Sequence, residues 1–223
     1  MKRTALADRK LPDYTKGEEI FNMVTHIVGG AFGVAYLALC VIFAALHSNV
    51  WGVVGGAIYG ASVIVLFTMS SVYHGVVPQT AKKVLQVIDH CTIYFMIAGT
   101  YTPYTLCTLR KINTALGWTV FGIVWGIAAL AVTFTAIDLK KYRVFSMICY
   151  LGMGWCIIFT AVPLFRELGF WGSFFLLAGG IMYTIGAVLY GLGKKKRYIH
   201  SIFHIFVVLA SLMHFFSIFF YVI

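Results

Sequence analysis

The chain has 223 residues, of which 61% are hydrophobic and only 11% charged, and its mean hydropathy of +0.91 excludes an ordinary soluble domain. A formal net charge of +10 invites a nucleic-acid reading, but the lysines and arginines stand in short breaks between apolar runs, with no RNA- or DNA-binding motif around them. No nucleic-acid partner is expected, and the charge reads as a topology signal. Four prolines, 22 glycines and long unbroken apolar runs favour helical spans over the alternating strands of a barrel, so the predicted fold class is an all-α integral membrane protein.

Residues 1–22 carry mixed charge and read as a short cytoplasmic N-terminal segment, and 23–223 as one transmembrane bundle. The first apolar stretch is too long for the core of a cleaved signal peptide. Apolar runs broken by charge predict helices near 23–46, 51–76, 85–108, 115–136, 143–164, 170–191 and 199–222, each close to the ~20 residues that a bilayer needs. That is a seven-transmembrane helix bundle, with connections short enough to make sequential helices antiparallel neighbours. Fourteen lysines and arginines fall in the N-terminal segment and the even-numbered loops, against three on the opposite side. The excess predicts a cytoplasmic N-terminus and an external C-terminus.

Glycines at four-residue spacing, such as Gly29 and Gly33 or Gly52, Gly56 and Gly60, mark close helix packing rather than chemistry, and leave the oligomeric state open. The five cysteines all lie in apolar runs without CxxC spacing and read as small core residues, Cys91 included.

Histidines carry the chemistry. His200 and His204 stand four residues apart at the start of the last run, which puts both imidazoles on one helix face. With the predicted orientation, His74 at the end of the second helix and Asp89 early in the third lie at the same depth, just inside the cytoplasmic boundary. Polar side chains are rare within spans, and convergence at one depth is what a metal site requires. His74, His200 and His204 are therefore the expected metal ligands. Three neutral imidazoles with an open fourth position make a catalytic type of zinc site, and Asp89, the only carboxylate placed within a span, is positioned to hold and deprotonate a water there. Ser70, one turn before His74, faces the same way and can hydrogen-bond that water or Asp89. The bland alternative makes the histidines interfacial and pairs Asp89 with Lys82 or Lys83.

His90 points about 100° away from Asp89 around the helix, His47 belongs to the other end of the first helix, and His214 lies roughly 15 Å beyond His204. All three read as structural. His26, one turn after Asn22 and two after Glu18 or Glu19, is open between an outer partner of the ligands, a lid, and a helix-entry cap.

These residues resemble the haemolysin III branch, the bacterial members of the progestin and adipoQ receptor (PAQR) family that includes the adiponectin receptors. The motifs are Glu18-Glu19 with Asn22 and Thr25-His26, then Ser70-Ser71-Val72-Tyr73-His74, Asp89-His90-Cys91, Ala98-Gly99-Thr100-Tyr101-Thr102-Pro103, and His200-Ser201-Ile202-Phe203-His204. The resemblance covers nearly the whole chain. It implies seven helices in a bacterial plasma membrane, a cytoplasm-facing zinc on His74, His200 and His204, and a water held by Asp89. It also implies kinship to hydrolases of lipid amides such as ceramides.

The leading expectation is a zinc-dependent intramembrane hydrolase of a lipid amide or ester, with a membrane lipid as substrate and Asp89 as general base. The alternatives are a non-enzymatic regulator of membrane homeostasis in which zinc is structural, and a haemolysin-like permeabilising protein.

Overall fold

A chain this apolar satisfies its backbone within helices, and in the computed structural model, which describes residues 3–47, 49–193 and 196–223, every regular element is helical. Lys2, Lys194 and Lys195, which enter the charge count, lie outside the described residues. In chain order come α1 (Lys16–Leu46), α2 (Val50–Gly75) and α3 (Gln79–Pro103). A π-helical turn (Tyr104–Leu109) follows, then the short α4 (Arg110–Ile112) and α5 (Thr114–Ile137). The chain continues through α6 (Arg143–Trp155), a 3-10 turn (Cys156–Thr160), α7 (Ala161–Leu192) and α8 (Ile199–Tyr221).

Local signals set the helix starts. Thr15 and Glu18 form a reciprocal capping box at α1: the Glu18 amide donates to Thr15 Oγ1 and the Thr15 amide donates back to Glu18 Oε2, which satisfies two donors that a helix N-terminus leaves open. Asn49 and Asn113 cap α2 and α5 by accepting from the amides of Gly52 and Leu116. Because of its cap, α1 begins at Lys16 rather than near 23, and the two extra turns carry Glu18, Glu19 and Asn22 into the helix. Pro78 likewise starts α3 at Gln79 rather than near 85.

Polarity is inverted relative to a soluble protein. Large apolar side chains face outward, with Phe159 90%, Val77 82% and Phe170 74% exposed, while His26, His74, His200, His204 and Asn22 are buried. Five helical stretches among the described residues are long and apolar enough to cross a membrane: α1, α2, α5, α8 and the continuous 50-residue run Arg143–Leu192. α3 is absent from that set because Lys82, Lys83, Gln86, Asp89 and His90 lower its hydropathy. The run expected as two helices, 143–164 and 170–191, carries Arg166 and Glu167 between them and kinks at Gly169, whose φ of 62° lies where only glycine is unstrained. The protein is a multi-pass membrane helix bundle. α1 packs chiefly on α2, α2 on α3 and α7 on α8, with α1 also against α8, and this pairing brings the start of α1, the end of α2 and the start of α8 together.

Candidate metal centre

His74 sits on the last turn of α2, and His200 and His204 on the first two turns of α8. All three are buried, and each offers a ring nitrogen such that the three atoms lie within 4.8 Å of one another. Nε2 of His204 is 3.1 Å from Nε2 of His200. Two imidazole nitrogens on one tetrahedral zinc at ~2.05 Å bonds stand about 3.3 Å apart, so the facing pair already has the spacing of a shared cation.

The first turns of α1 supply the partner that fixes His74. Its Nδ1 lies 2.6 Å from Glu19 Oε2, and an ionised carboxylate only accepts, so Nδ1 carries the proton and Nε2 is left with its lone pair for a metal. Glu19 in turn takes the Lys82 ammonium at 2.9 Å on Oε1. Lys82 also donates to the carbonyls of Tyr73, His74 and Val76, acceptors that the end of α2 would otherwise leave open. One buried lysine thus closes α2 and holds the carboxylate that orients His74.

Glu18 performs the matching task for α8. Beyond the capping box, its Oε1 accepts from the Tyr198 amide at 2.7 Å and its Oε2 from Arg197 at 3.3 Å. Tyr198 stands at φ 60°, a left-handed conformation costing about 1 kcal/mol in a non-glycine residue. The Glu18 contact holds this bend two residues before His200.

The structure places Asp89 on α3 outside the three-imidazole set, with the Ser70 hydroxyl turned to its carboxyl and His90 Nδ1 3.7 Å away. The alternative that paired it with Lys82 or Lys83 fails, because Lys82 serves Glu19 and Lys83 donates to the Ala7 carbonyl. Tyr14, just before α1, stacks on His200 at 4.8 Å between centroids and tilts over His74 at 5.7 Å. Burial raises its hydroxyl pKa, and nearby Tyr73, Tyr190, Glu19 and Asp89 push the same way. His26 stacks on His204 at 3.8 Å.

His90 Nδ1 donates to the Gln86 carbonyl and His47 Nδ1 to that of Phe43. Cys91 lies against the Val132 carbonyl. Glu19, Glu18 and Tyr14 were not singled out as site residues; the Thr15-x-x-Glu18 capping pattern was the signal available for the early start of α1.

A neutral, buried, three-imidazole set with one ring nitrogen already committed to a carboxylate fits a divalent cation. A model of the family described as haemolysin-III related matches residues 14–215. The chain is 38% identical over 205 residues to Hemolysin-3 of Bacillus cereus, covering 92% of each chain. It is 36% identical over 208 residues to the Hemolysin-3 homolog of Bacillus subtilis, covering 93% of this chain and 96% of that one. At 27% identity over 181 residues it matches human monocyte to macrophage differentiation factor, across 78% of this chain and 72% of the relative. With the family match spanning every residue of the centre, this chain belongs to the haemolysin III family.

Proposed function

We propose that the protein is a zinc-dependent intramembrane hydrolase of a lipid amide or ester, serving membrane homeostasis. The observation that carries the reading is the separation of roles: three buried imidazoles within ligand distance, one oriented by Glu19, and a fourth polar group, Asp89, held beside Ser70 outside the ligand set. An all-imidazole set suits zinc among the abundant cations. When bound, zinc supplies Lewis acidity toward a carbonyl and lowers the pKa of its water toward about 7.

The chain's own residues do the rest. His74, His200 and His204 hold the cation, Glu19 keeps His74 in the binding tautomer, and Ser70 keeps the Asp89 carboxylate turned inward. Asp89 accepts the proton from the attacking water and returns it to the leaving amine or alcohol. Tyr14 excludes water from the side of the N-terminal segment.

The reading includes seven spans, with two passes in the Arg143–Leu192 run turning at Gly169. It places residues 1–22 in the cytoplasm, 23–223 in the bundle and the C-terminus outside, in a bacterial plasma membrane. Reporter fusions at both termini test the orientation; a C-terminal reporter active only in the cytoplasm moves the centre to the opposite leaflet and overturns this part. The function is tested by elemental analysis of purified protein followed by a panel of lipid amides and esters, with mass-spectrometric detection of released fatty acid. Release by zinc-loaded wild type and not by metal-free protein is expected. No release on any lipid transfers support to a non-enzymatic regulator with structural zinc, a reading favoured by the Tyr14 ring lying over two of the ligands.

A further inference from the structure

A divalent cation is too costly to strip of water and pass through hydrocarbon, so an ion held by this bundle arrives from an aqueous side. His74, His200 and His204 are each 8% exposed or less, and an element over them has to move before an ion reaches them. The helices that carry them are poorly suited to that motion. α1 packs along α2 and α8 along α7, and the bend before His200 is held by the Glu18 carboxylate on the Tyr198 amide.

The segment before α1 differs in kind. Residues 3–15 form no helix or strand and hold one turn, in which the amides of Asp8 and Arg9 donate to the carbonyls of Ala5 and Leu6. The segment runs across one end of the bundle. It begins at the α5–α6 connection, where the Thr4 amide donates to Asp138 Oδ2 at 2.8 Å. It passes the first turn of α3, where the Lys83 ammonium donates to the Ala7 carbonyl at 2.7 Å, and it ends on the ligands. The Tyr14 ring lies nearly parallel to that of His200, 18° between planes, and also covers His74. These ties are few and polar, and the one from Lys83 is exposed, so release exchanges them for hydrogen bonds to water at small net cost. Arg3, Asp8, Arg9, Lys10 and Asp13 favour a hydrated, lifted segment as readily as a docked one.

We propose that residues 3–15 are a strap that gates the metal centre: the cation enters and leaves only when Tyr14 lifts from His200 and His74. The inference rests on metal binding by the three imidazoles and is independent of lipid hydrolysis. A gate has a kinetic signature. If the strap closes equally well over the filled and the empty centre, its opening limits uptake and release alike and leaves the equilibrium affinity untouched. A residue that merely supports the ligands does the opposite, because its loss speeds release and weakens affinity by the same factor.

The experiment measures both rates by stopped flow on purified full-length protein in detergent. Release of zinc from loaded protein is followed with excess chromophoric chelator, and uptake by metal-free protein with a fluorescent zinc indicator. The double substitution Lys83→Ala with Asp138→Ala cuts both outer ties without touching the ligands. It should raise release and uptake together by about 10–100-fold, the worth of one to two charge-assisted hydrogen bonds, with the dissociation constant unchanged. Tyr14→Ala removes the cover itself and should raise both rates at least as far, whereas Tyr14→Phe, which keeps the ring over His200, should raise neither. Faster release without faster uptake makes the segment a support for the ligands and overturns the gate, as do rates that ignore all three variants. Wild type that binds no zinc fails the metal reading and the gate with it, whereas zinc-loaded wild type with strap-independent rates fails the gate alone.

Discussion

α8 carries two buried histidines in opposite circumstances. His204 lies among His74, His200 and His26 and is 1% exposed. His214 lies against Tyr183 and donates through Nε2 to the Leu176 carbonyl at 3.2 Å, beside a cavity of about 30 Å³ that it shares with Tyr101, Tyr104 and Trp155, room for about one water. Gly179 makes the close approach possible, since a Cβ there would meet the imidazole itself. Burial is nearly the same in the two places; what differs is convergence. A lone buried histidine is a hydrogen-bonded packing element, and it becomes a ligand only where other helices bring nitrogen atoms to the same point and a carboxylate fixes the tautomer.

The largest effect should follow from breaking the convergent region. His200→Ala or His204→Ala is expected to remove the stoichiometric metal, and His214→Ala to leave it in place while costing about 1–3 kcal/mol of stability. Elemental analysis and thermal melting with and without chelator separate these outcomes. Chelation should lower the melting temperature of wild type and of His214→Ala, because a cation that binds only the folded state stabilises it, and should do nothing to the other two. Metal retained in full after either ligand substitution would erase the distinction between the two histidines.

Next in size is the effect expected at Asp89, the proposed general base. Asp89→Asn should keep the metal and the fold, but lower turnover of the right lipid by about two to four orders of magnitude, since the amide cannot accept the proton. Equal fatty-acid release from zinc-loaded wild type and variant would remove Asp89 from catalysis.

Smaller again is the effect of the carboxylate behind His74. Glu19→Gln keeps a hydrogen-bond acceptor but loses the charge, and should weaken metal affinity by about 10–100-fold, the usual worth of an outer partner. Competition with a chromophoric chelator measures it. An unchanged affinity would mean that convergence alone, without tautomer control, makes the centre.

The sequence made the membrane character and the shared face of His200 and His204 readable, because composition and a four-residue spacing are local properties. Glu19 was not readable as the partner of His74: the contact exists because α1 starts two turns early and packs along α2, a long-range consequence of a capping box at Thr15 and Glu18. Lys82 was weighed as a partner of Asp89 and serves Glu19 instead, because the open carbonyls at the end of α2 draw the ammonium to that side. A break between residues 164 and 170 was readable from Arg166 and Glu167, but its placing at Gly169 was not, since only the positive φ of that glycine marks the kink.

The smallest expected effect concerns the segment that covers the convergent region and has no counterpart over His214. Residues before α1 are fastened at two points before reaching Tyr14: the Thr4 amide donates to Asp138 Oδ2 at 2.8 Å, and Lys83 donates to the Ala7 carbonyl at 2.7 Å. The Thr4 amide, followed by those of Lys141 and Lys140, holds the Asp138 carboxyl down to about 2. That folded value lies below the ~3.9 of an unfolded chain. The contribution is therefore complete above pH ~4 and is lost as the pH falls from there toward about 2. At neutral pH, Asp138→Ala should raise hydrogen exchange in residues 4–15 by about tenfold, the value of one charge-assisted hydrogen bond, with metal content and exchange around His214 unchanged. Wild type should approach the variant, after correction for intrinsic rates, only as the pH drops through that window. Exchange in 4–15 that ignores both the substitution and the acid would show that Tyr14 is held over His200 by stacking alone.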